Sequence, residues 1–113
     1  MNTLFSYLYR DASNYKQHEG IILEGTLNHE EIDQISSKLD NGQFFIPAQV
    51  GLENLQKRMT HFPSNDDHIW HELVSIEPTE NISNTHITTK KLLSNFSHVK
   101  EWDVLKYSQE LGL

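Results

Sequence analysis

The chain has 113 residues, of which 36% are hydrophobic and none is cysteine, and its 9 basic and 16 acidic side chains give a formal net charge of −7. This length predicts a single compact domain over residues 1–113, and the lack of cysteine excludes disulfides, thiolate metal sites and cysteine nucleophiles. The negative charge argues against a nucleic-acid partner held through its phosphates, and the short apolar runs exclude a transmembrane helix, so we expect no membrane partner.

Two strands are predicted before residue 28. Leu4–Tyr9 alternates in a way that puts its aromatic side chains on one face of a strand. Asp11–Asn14 is typical of a turn, because short polar side chains bond to their own backbone. A second strand is predicted to open at Gly20 and to run over residues 21–27, so that a long loop joins the two strands.

The first helix has the clearest signals in the sequence. Asn28 is the predicted N-cap, and Glu31, three residues later, completes the pattern of a capping box. Gly42 is suited to the left-handed cap that ends the helix. The apolar stripe between them consists of Ile32, Ile35 and Leu39.

The remaining elements complete a mixed fold. In chain order they are a short extended segment at 44–47, a helix beginning near Gly51, a strand at 69–76 closed by Pro78, a loop at 79–88, and helices near 92–99 and 104–111. Few connections are long enough for parallel crossovers. The expected fold class is therefore α+β: a small, mainly antiparallel sheet of three to four strands with helices packed on one face.

The densest polar cluster is the segment Asp66–Glu72, which contains two histidines three positions apart. On a helix, His68 and His71 could share a metal ion with Glu72. The β-branched and aromatic residues around them favour a strand instead, and on a strand this spacing sends the two imidazoles to opposite faces. We therefore expect no metal and no cofactor here, and interpret the cluster as an amphipathic strand entered through an acidic turn.

A general acid–base site is the alternative chemical interpretation. Arg10 ends the first strand, and His68 or Glu72 comes close to it if that strand pairs with residues 69–76. A histidine, an arginine and a carboxylate can together cleave RNA without a metal. The candidate catalytic residues of such a small hydrolase, metal-assisted or ribonuclease-like, are His68, His71, Glu72 and Arg10.

Three blocks of the sequence resemble a group of small bacterial proteins that have no assigned activity. The blocks are YRDASNYK at residues 9–16, FIPAQVGL at residues 45–52 and DHIWHEL at residues 67–73. The resemblance implies a bacterial or phage origin and one compact domain. It supplies no catalytic residue.

The leading functional interpretation is a non-enzymatic protein-interaction or regulatory module. No complete catalytic motif is present, and aromatic side chains, which often anchor interfaces, predict a contact surface made of Tyr9, Phe45 and Trp70. The expected partner is a protein, and a homodimer formed through an exposed edge strand is a related option. Residues 1–6 lack the basic and long apolar regions of a signal peptide, so the predicted location is cytoplasmic.

Overall fold

The computed structural model describes all of residues 1–113. Its strands and helices are β1 (Asn2–Arg10), β2 (Lys16–Leu23), α1 (His29–Lys38), β3 (Phe44–Phe45), β4 (His71–Thr79), α2 (Thr89–Ser97) and α3 (Val104–Glu110). Two 3-10 turns, Pro47–Val50 and Leu55–Arg58, lie between β3 and β4. The fold is α+β, as the sequence predicts.

The four strands form one antiparallel sheet in the order β2-β1-β4-β3. The long pairing of β1 with β4 places Tyr9 opposite His71 and Asn2 opposite Thr79. The predicted strand at 69–76 therefore begins later than expected and continues through Pro78. Because β3 pairs only with the start of β4, the rest of β4 is a sheet edge, where a proline breaks no ladder.

The hairpin that joins β1 to β2 is tighter than predicted. β2 begins at Lys16, so Gly20 lies inside the strand, and the predicted long loop is wrong. The Asp11 carboxylate makes the short connection possible, because its Oδ1 accepts hydrogen bonds of 2.9 Å from the backbone N–H groups of Ser13 and Tyr15. This confirms the predicted turn, whose polar residues bond to their own backbone.

The capping box of α1 is confirmed. The Asn28 side chain accepts from the Glu31 N–H at 2.8 Å, and the Glu31 carboxylate accepts from the Asn28 N–H at 2.9 Å. These bonds satisfy two backbone donors that the first turn of a helix leaves unpaired. α2 and α3 are likewise capped, by Thr88 and Asp103. None of the three helices is both long and apolar enough to cross a bilayer.

The predicted helix beginning near Gly51 does not form. Gly51 has a φ of 83°, which ends the first 3-10 turn in a left-handed conformation. The extended segment that follows is fixed to the sheet, because the hydroxyl of Tyr7 donates to the Glu53 carbonyl at 2.8 Å. The apolar residues at helical spacing are Leu52, Leu55 and Met59. The first two are buried and Met59 is half-buried, but all three pack on the core from a 3-10 turn and its flanks.

The core lies on one face of the sheet. Phe5, Tyr7 and Tyr9 share one face of β1, as the alternation predicts, and all three are buried. Phe45 packs edge-on against two of these rings, with centroid distances of 6.0 Å to Phe5 and 5.6 Å to Tyr7. The β2 strand and the helices add further buried side chains, among them Leu23, Ile35, Leu92 and Phe96.

Candidate functional site

The pairing of β1 with β4 brings together residues that are far apart in sequence. The Arg10 Nε atom lies 2.9 Å from a carboxylate oxygen of Glu72. Arg10 also donates to the Asn14 side chain at 2.6 Å, and Gln43 donates to Glu72 at 2.9 Å. The hydrogen bond that Arg10 donates to the Glu72 carboxylate raises the pKa of Arg10. The predicted approach of Glu72 to Arg10 is thus confirmed, and the pair is held from both ends.

His68 lies beside this ion pair, in the irregular segment just before β4. Its Nδ1 atom accepts from the Trp70 backbone N–H at 3.1 Å. That bond assigns the ring proton to Nε2, which lies 2.7 Å from the Arg10 carbonyl oxygen and donates to it. Both ring nitrogens of His68 are therefore bound to backbone, and the ring fixes the end of β1 to the segment that enters β4.

His71 lies in the core and does not face the Arg10–Glu72 pair. It is fully buried, its Nε2 accepts from the Leu55 N–H at 2.9 Å, and its Nδ1 lies 3.1 Å from the Ile69 carbonyl oxygen. Burial lowers the pKa of His71 to about 3, and the nearby His68 contributes in the same direction. His71 therefore leaves the candidate catalytic set.

The two imidazoles do not lie on opposite faces of one strand. That prediction fails because β4 begins only at His71. Instead the rings lie at similar distances from the ring of Tyr9, with centroid distances of 5.1 Å for His68 and 5.2 Å for His71. All four of their ring nitrogens are engaged with backbone, and no group of three or more histidine and carboxylate side chains is placed to hold a metal ion.

The predicted contact surface is wrong for two of its three residues. Tyr9 and Phe45 are fully buried, because both lie on the core face of the sheet. The Tyr9 hydroxyl donates to the Asp67 carboxylate at 2.6 Å and accepts from the His68 N–H at 3.2 Å. These bonds fix the segment before β4 to the end of β1. Trp70 is half-buried and keeps part of its indole at the surface.

Trp70 lies between two surface clefts. The first, the Arg10 cleft, has a volume of about 660 Å³ and is lined by Arg10, Asp11, Asp40, Gln43, Phe44, His68, Trp70 and Glu72. The second, of about 470 Å³, is called the Trp102 cleft and is lined by both tryptophans and by Lys38, Asp40, Lys100 and Glu101. Asp40 and Trp70 line both clefts and so form the boundary between them.

The two tryptophans differ in their hydrogen bonding. The Trp102 indole N–H donates to the Lys38 carbonyl at 2.9 Å, which fixes that ring against the end of α1. The Trp70 indole N–H has no partner within the chain, although one part of the ring packs against the small cluster of Ile46, Ile69 and Leu111. Trp70 is therefore packed against the protein through part of its ring, and its indole N–H is unpaired.

The open edge of β2 is partly blocked. Ile22 exchanges two hydrogen bonds with Asn84, at 2.8 and 3.1 Å, and the Gly20 N–H donates to the Glu19 carboxylate at 3.0 Å. These contacts occupy backbone groups that an added strand would need. A homodimer formed through this part of the edge has to displace Asn84.

Asp40 lines both clefts, although nothing in the sequence around it indicates a site residue. It follows α1, where the sequence shows only a helix end, and it reaches the site because its backbone pairs with Phe44. No local pattern marks this pairing, since it depends on the path of the chain between α1 and β3. Trp70 is the one predicted contact residue that the structure places at this surface.

Comparisons with protein-family models, with curated proteins and with solved structures found no match to this chain.

Proposed function

We propose that this protein is a non-enzymatic protein-interaction module that binds its partner at the surface formed by Trp70 and the two clefts beside it. The location that fits this role is the cytoplasm, and a bacterial or phage origin rests on the resemblance of the three sequence blocks. No cofactor enters this proposal.

The observation that most strongly supports this proposal is the packing and hydrogen bonding of Trp70. Tryptophan is among the residues most enriched at the energetic centres of interfaces, because it buries a large apolar area and can also donate a hydrogen bond. Here the ring is anchored by the cluster around Ile69, lines two clefts, and has an indole N–H without a partner. A pre-positioned aromatic ring loses little conformational entropy on binding.

A small hydrolase is the second candidate, because Arg10, His68 and Glu72 do converge in the Arg10 cleft. Its difficulty is that His68 has no free ring nitrogen to act as a base, and Glu72 is held by Arg10 and Gln43. A general base has to reach the proton that it removes. Cleavage of single-stranded RNA or of a phosphodiester that disappears in both Arg10→Ala and His68→Ala would reverse the ranking.

The interaction proposal is tested by capture from a lysate of the cells that carry the gene. Wild-type protein, Trp70→Ala and Asp40→Arg are immobilised side by side with Ile82→Ala. This control removes a side chain that is 87% exposed and lines neither cleft. Asp40 makes no side-chain bond within the chain, so Asp40→Arg blocks the surface while the fold is kept. We expect a protein retained by wild type and Ile82→Ala and lost from the other two. Equal retention by all four proteins, or no retained protein, contradicts the proposal.

A further inference from the structure

We infer that the Arg10 cleft takes a lysine or arginine side chain from a basic segment of the protein partner, seated against Trp70 and Phe44. This inference rests on the proposed function and adds the chemistry of the partner. It follows from three properties of the cleft: its charge, its aromatic lining and the rigidity of its walls.

The charge of the Arg10 cleft is negative. Its lining has three carboxylates, those of Asp11, Asp40 and Glu72, against the one guanidinium of Arg10, so the sum is 1 − 3 = −2. Arg10 is already paired with Glu72. The remaining two carboxylates have no cationic partner, since Asp11 accepts only from backbone N–H groups. A cation entering the cleft therefore gains attraction without breaking an existing ion pair.

The neighbouring Trp102 cleft does not share this charge. Its lining has Lys38 and Lys100 against Asp40 and Glu101, so the sum is 2 − 2 = 0. The difference between the two clefts places the cation on the Arg10 side of Trp70. The same negative charge, on a chain whose net charge is −7, repels the phosphates of a nucleic acid.

The aromatic lining suits a cationic side chain on an aliphatic stem. Trp70 and Phe44 are both half-buried and line the cleft. An arginine or lysine gains cation–π attraction at such rings while its methylene groups cover apolar surface. The free indole N–H of Trp70 supplies a donor for a backbone carbonyl of the same segment. A polar segment without a positive charge would gain only the hydrogen bond from the Trp70 indole N–H, without the cation–π attraction.

The walls of the cleft are held in place before any ligand arrives. The His68 ring is bound to backbone through both nitrogens, and Glu72 is held by Arg10 and Gln43. Binding therefore orders few protein groups, which lowers the entropic cost of association.

The test uses the fluorescence of Trp70 in the full-length Trp102→Phe variant, in which Trp70 is the remaining tryptophan. The probes are a short Gly/Ser peptide with two arginines and the same peptide with citrulline, which keeps the shape of arginine without its charge. We expect a saturable change with the arginine peptide and an affinity at least about 10-fold lower for the citrulline peptide, because both the ion attraction and the cation–π attraction are lost. Equal affinities, or no saturable change with the arginine peptide at millimolar concentration, overturn the inference.

Charge variants of the same protein locate the cation. Asp40→Asn is expected to weaken the arginine peptide about threefold or more, because it removes one of two unpaired carboxylates. Glu80→Gln is the matched control: it removes the same charge from an exposed position outside the cleft and is expected to leave the affinity unchanged. An equal effect of both variants overturns the inference. If Trp70-dependent capture from the lysate persists while the arginine and citrulline peptides bind alike, the interaction function stands and the basic partner is rejected.

Discussion

The Nε2 atom of His71 accepts a hydrogen bond of 2.9 Å from the backbone N–H of Leu55. This bond fixes the tautomer of the ring, because Nδ1 must then carry the proton that it donates to the Ile69 carbonyl oxygen. A neutral imidazole thereby ties the start of β4 to the second 3-10 turn inside the core. A protonated ring would place two N–H groups where one acceptor and one donor are now present.

Because burial favours the neutral form of His71, we expect the fold to lose stability in acid. The pKa of His71 is lowered from 6.5 to about 3 in the folded chain, mainly by burial, so above pH 6.5 the ring is neutral in both the folded and unfolded states. Between pH 6.5 and 3 the unfolded chain takes up a proton that the folded chain excludes. The free energy of unfolding therefore falls with decreasing pH, by at most about 1.4 kcal/mol per pH unit from this group.

Urea unfolding across this pH range checks the sign and the source. His71→Gln retains an acceptor for the Leu55 N–H and has no titrating ring, so its pH slope should be shallower than that of wild type. His18→Gln removes an exposed ring and should keep the wild-type slope. A His71→Gln slope as steep as that of wild type would show that other groups cause the acid sensitivity.

Two buried tyrosines form a matched pair for a second prediction. The Tyr7 hydroxyl donates to a backbone carbonyl, whereas the Tyr9 hydroxyl donates to the Asp67 carboxylate and also accepts from the His68 N–H. Tyr7→Phe should lower the free energy of unfolding by about 1 kcal/mol and Tyr9→Phe by about 2 kcal/mol, because a bond to a charged group contributes more. Equal losses would mean that the Asp67 contact adds nothing beyond a neutral hydrogen bond.

Alanine substitutions at Gly25 and Gly42 distinguish the stability cost of backbone strain from that of steric crowding. Both glycines have positive φ, 98° and 72°, so alanine is strained at either position by about 1–2 kcal/mol. A Cβ at Gly25 would lie 2.6 Å from the Thr89 hydroxyl oxygen, whereas a Cβ at Gly42 meets nothing within 4 Å. Gly25→Ala should therefore cost about 1–3 kcal/mol more than Gly42→Ala in thermal or urea unfolding. Adding Thr89→Ala should recover part of that excess. No recovery would show that the contact with Thr89 does not cause it.

The capping box of α1 predicts that two substitutions of Asn28 differ in their effect on stability. Asn28→Ala removes the side-chain acceptor of the Glu31 N–H and should cost about 1 kcal/mol. Asn28→Gly should cost only a few tenths of a kcal/mol, because water reaches the freed N–H and glycine adopts the cap conformation easily. Urea midpoints of the two variants measure the difference, and a larger loss for glycine than for alanine would contradict this account.

The parts of the fold that could be predicted are those encoded by neighbouring residues. Alternation in β1 and the Asn28–Glu31 box each depend on a few positions close in sequence, and both are present in the structure. The predicted helix near Gly51 fails because its apolar spacing reflects burial from a 3-10 turn, which single-sequence periodicity does not distinguish from a helix.

The candidate site depends on long-range pairing and was predicted only in part. The approach of Glu72 to Arg10 follows from pairing two strands, and the structure confirms it. The burial of Tyr9 and the position of Asp40 depend on which sheet face the helices cover and on how the chain leaves α1. No local sequence pattern indicates the burial of Tyr9 or the position of Asp40.

Photo-crosslinking in cells that carry the gene tests directly whether the surface around Trp70 binds a protein. A photoreactive amino acid is placed at Asp40, which lines both clefts, or at Ile82 as an exposed control. We expect a discrete protein adduct from position 40 that is absent from position 82 and disappears when Trp70→Ala is added. No adduct from position 40, or the same adducts from both positions, would contradict the proposed function.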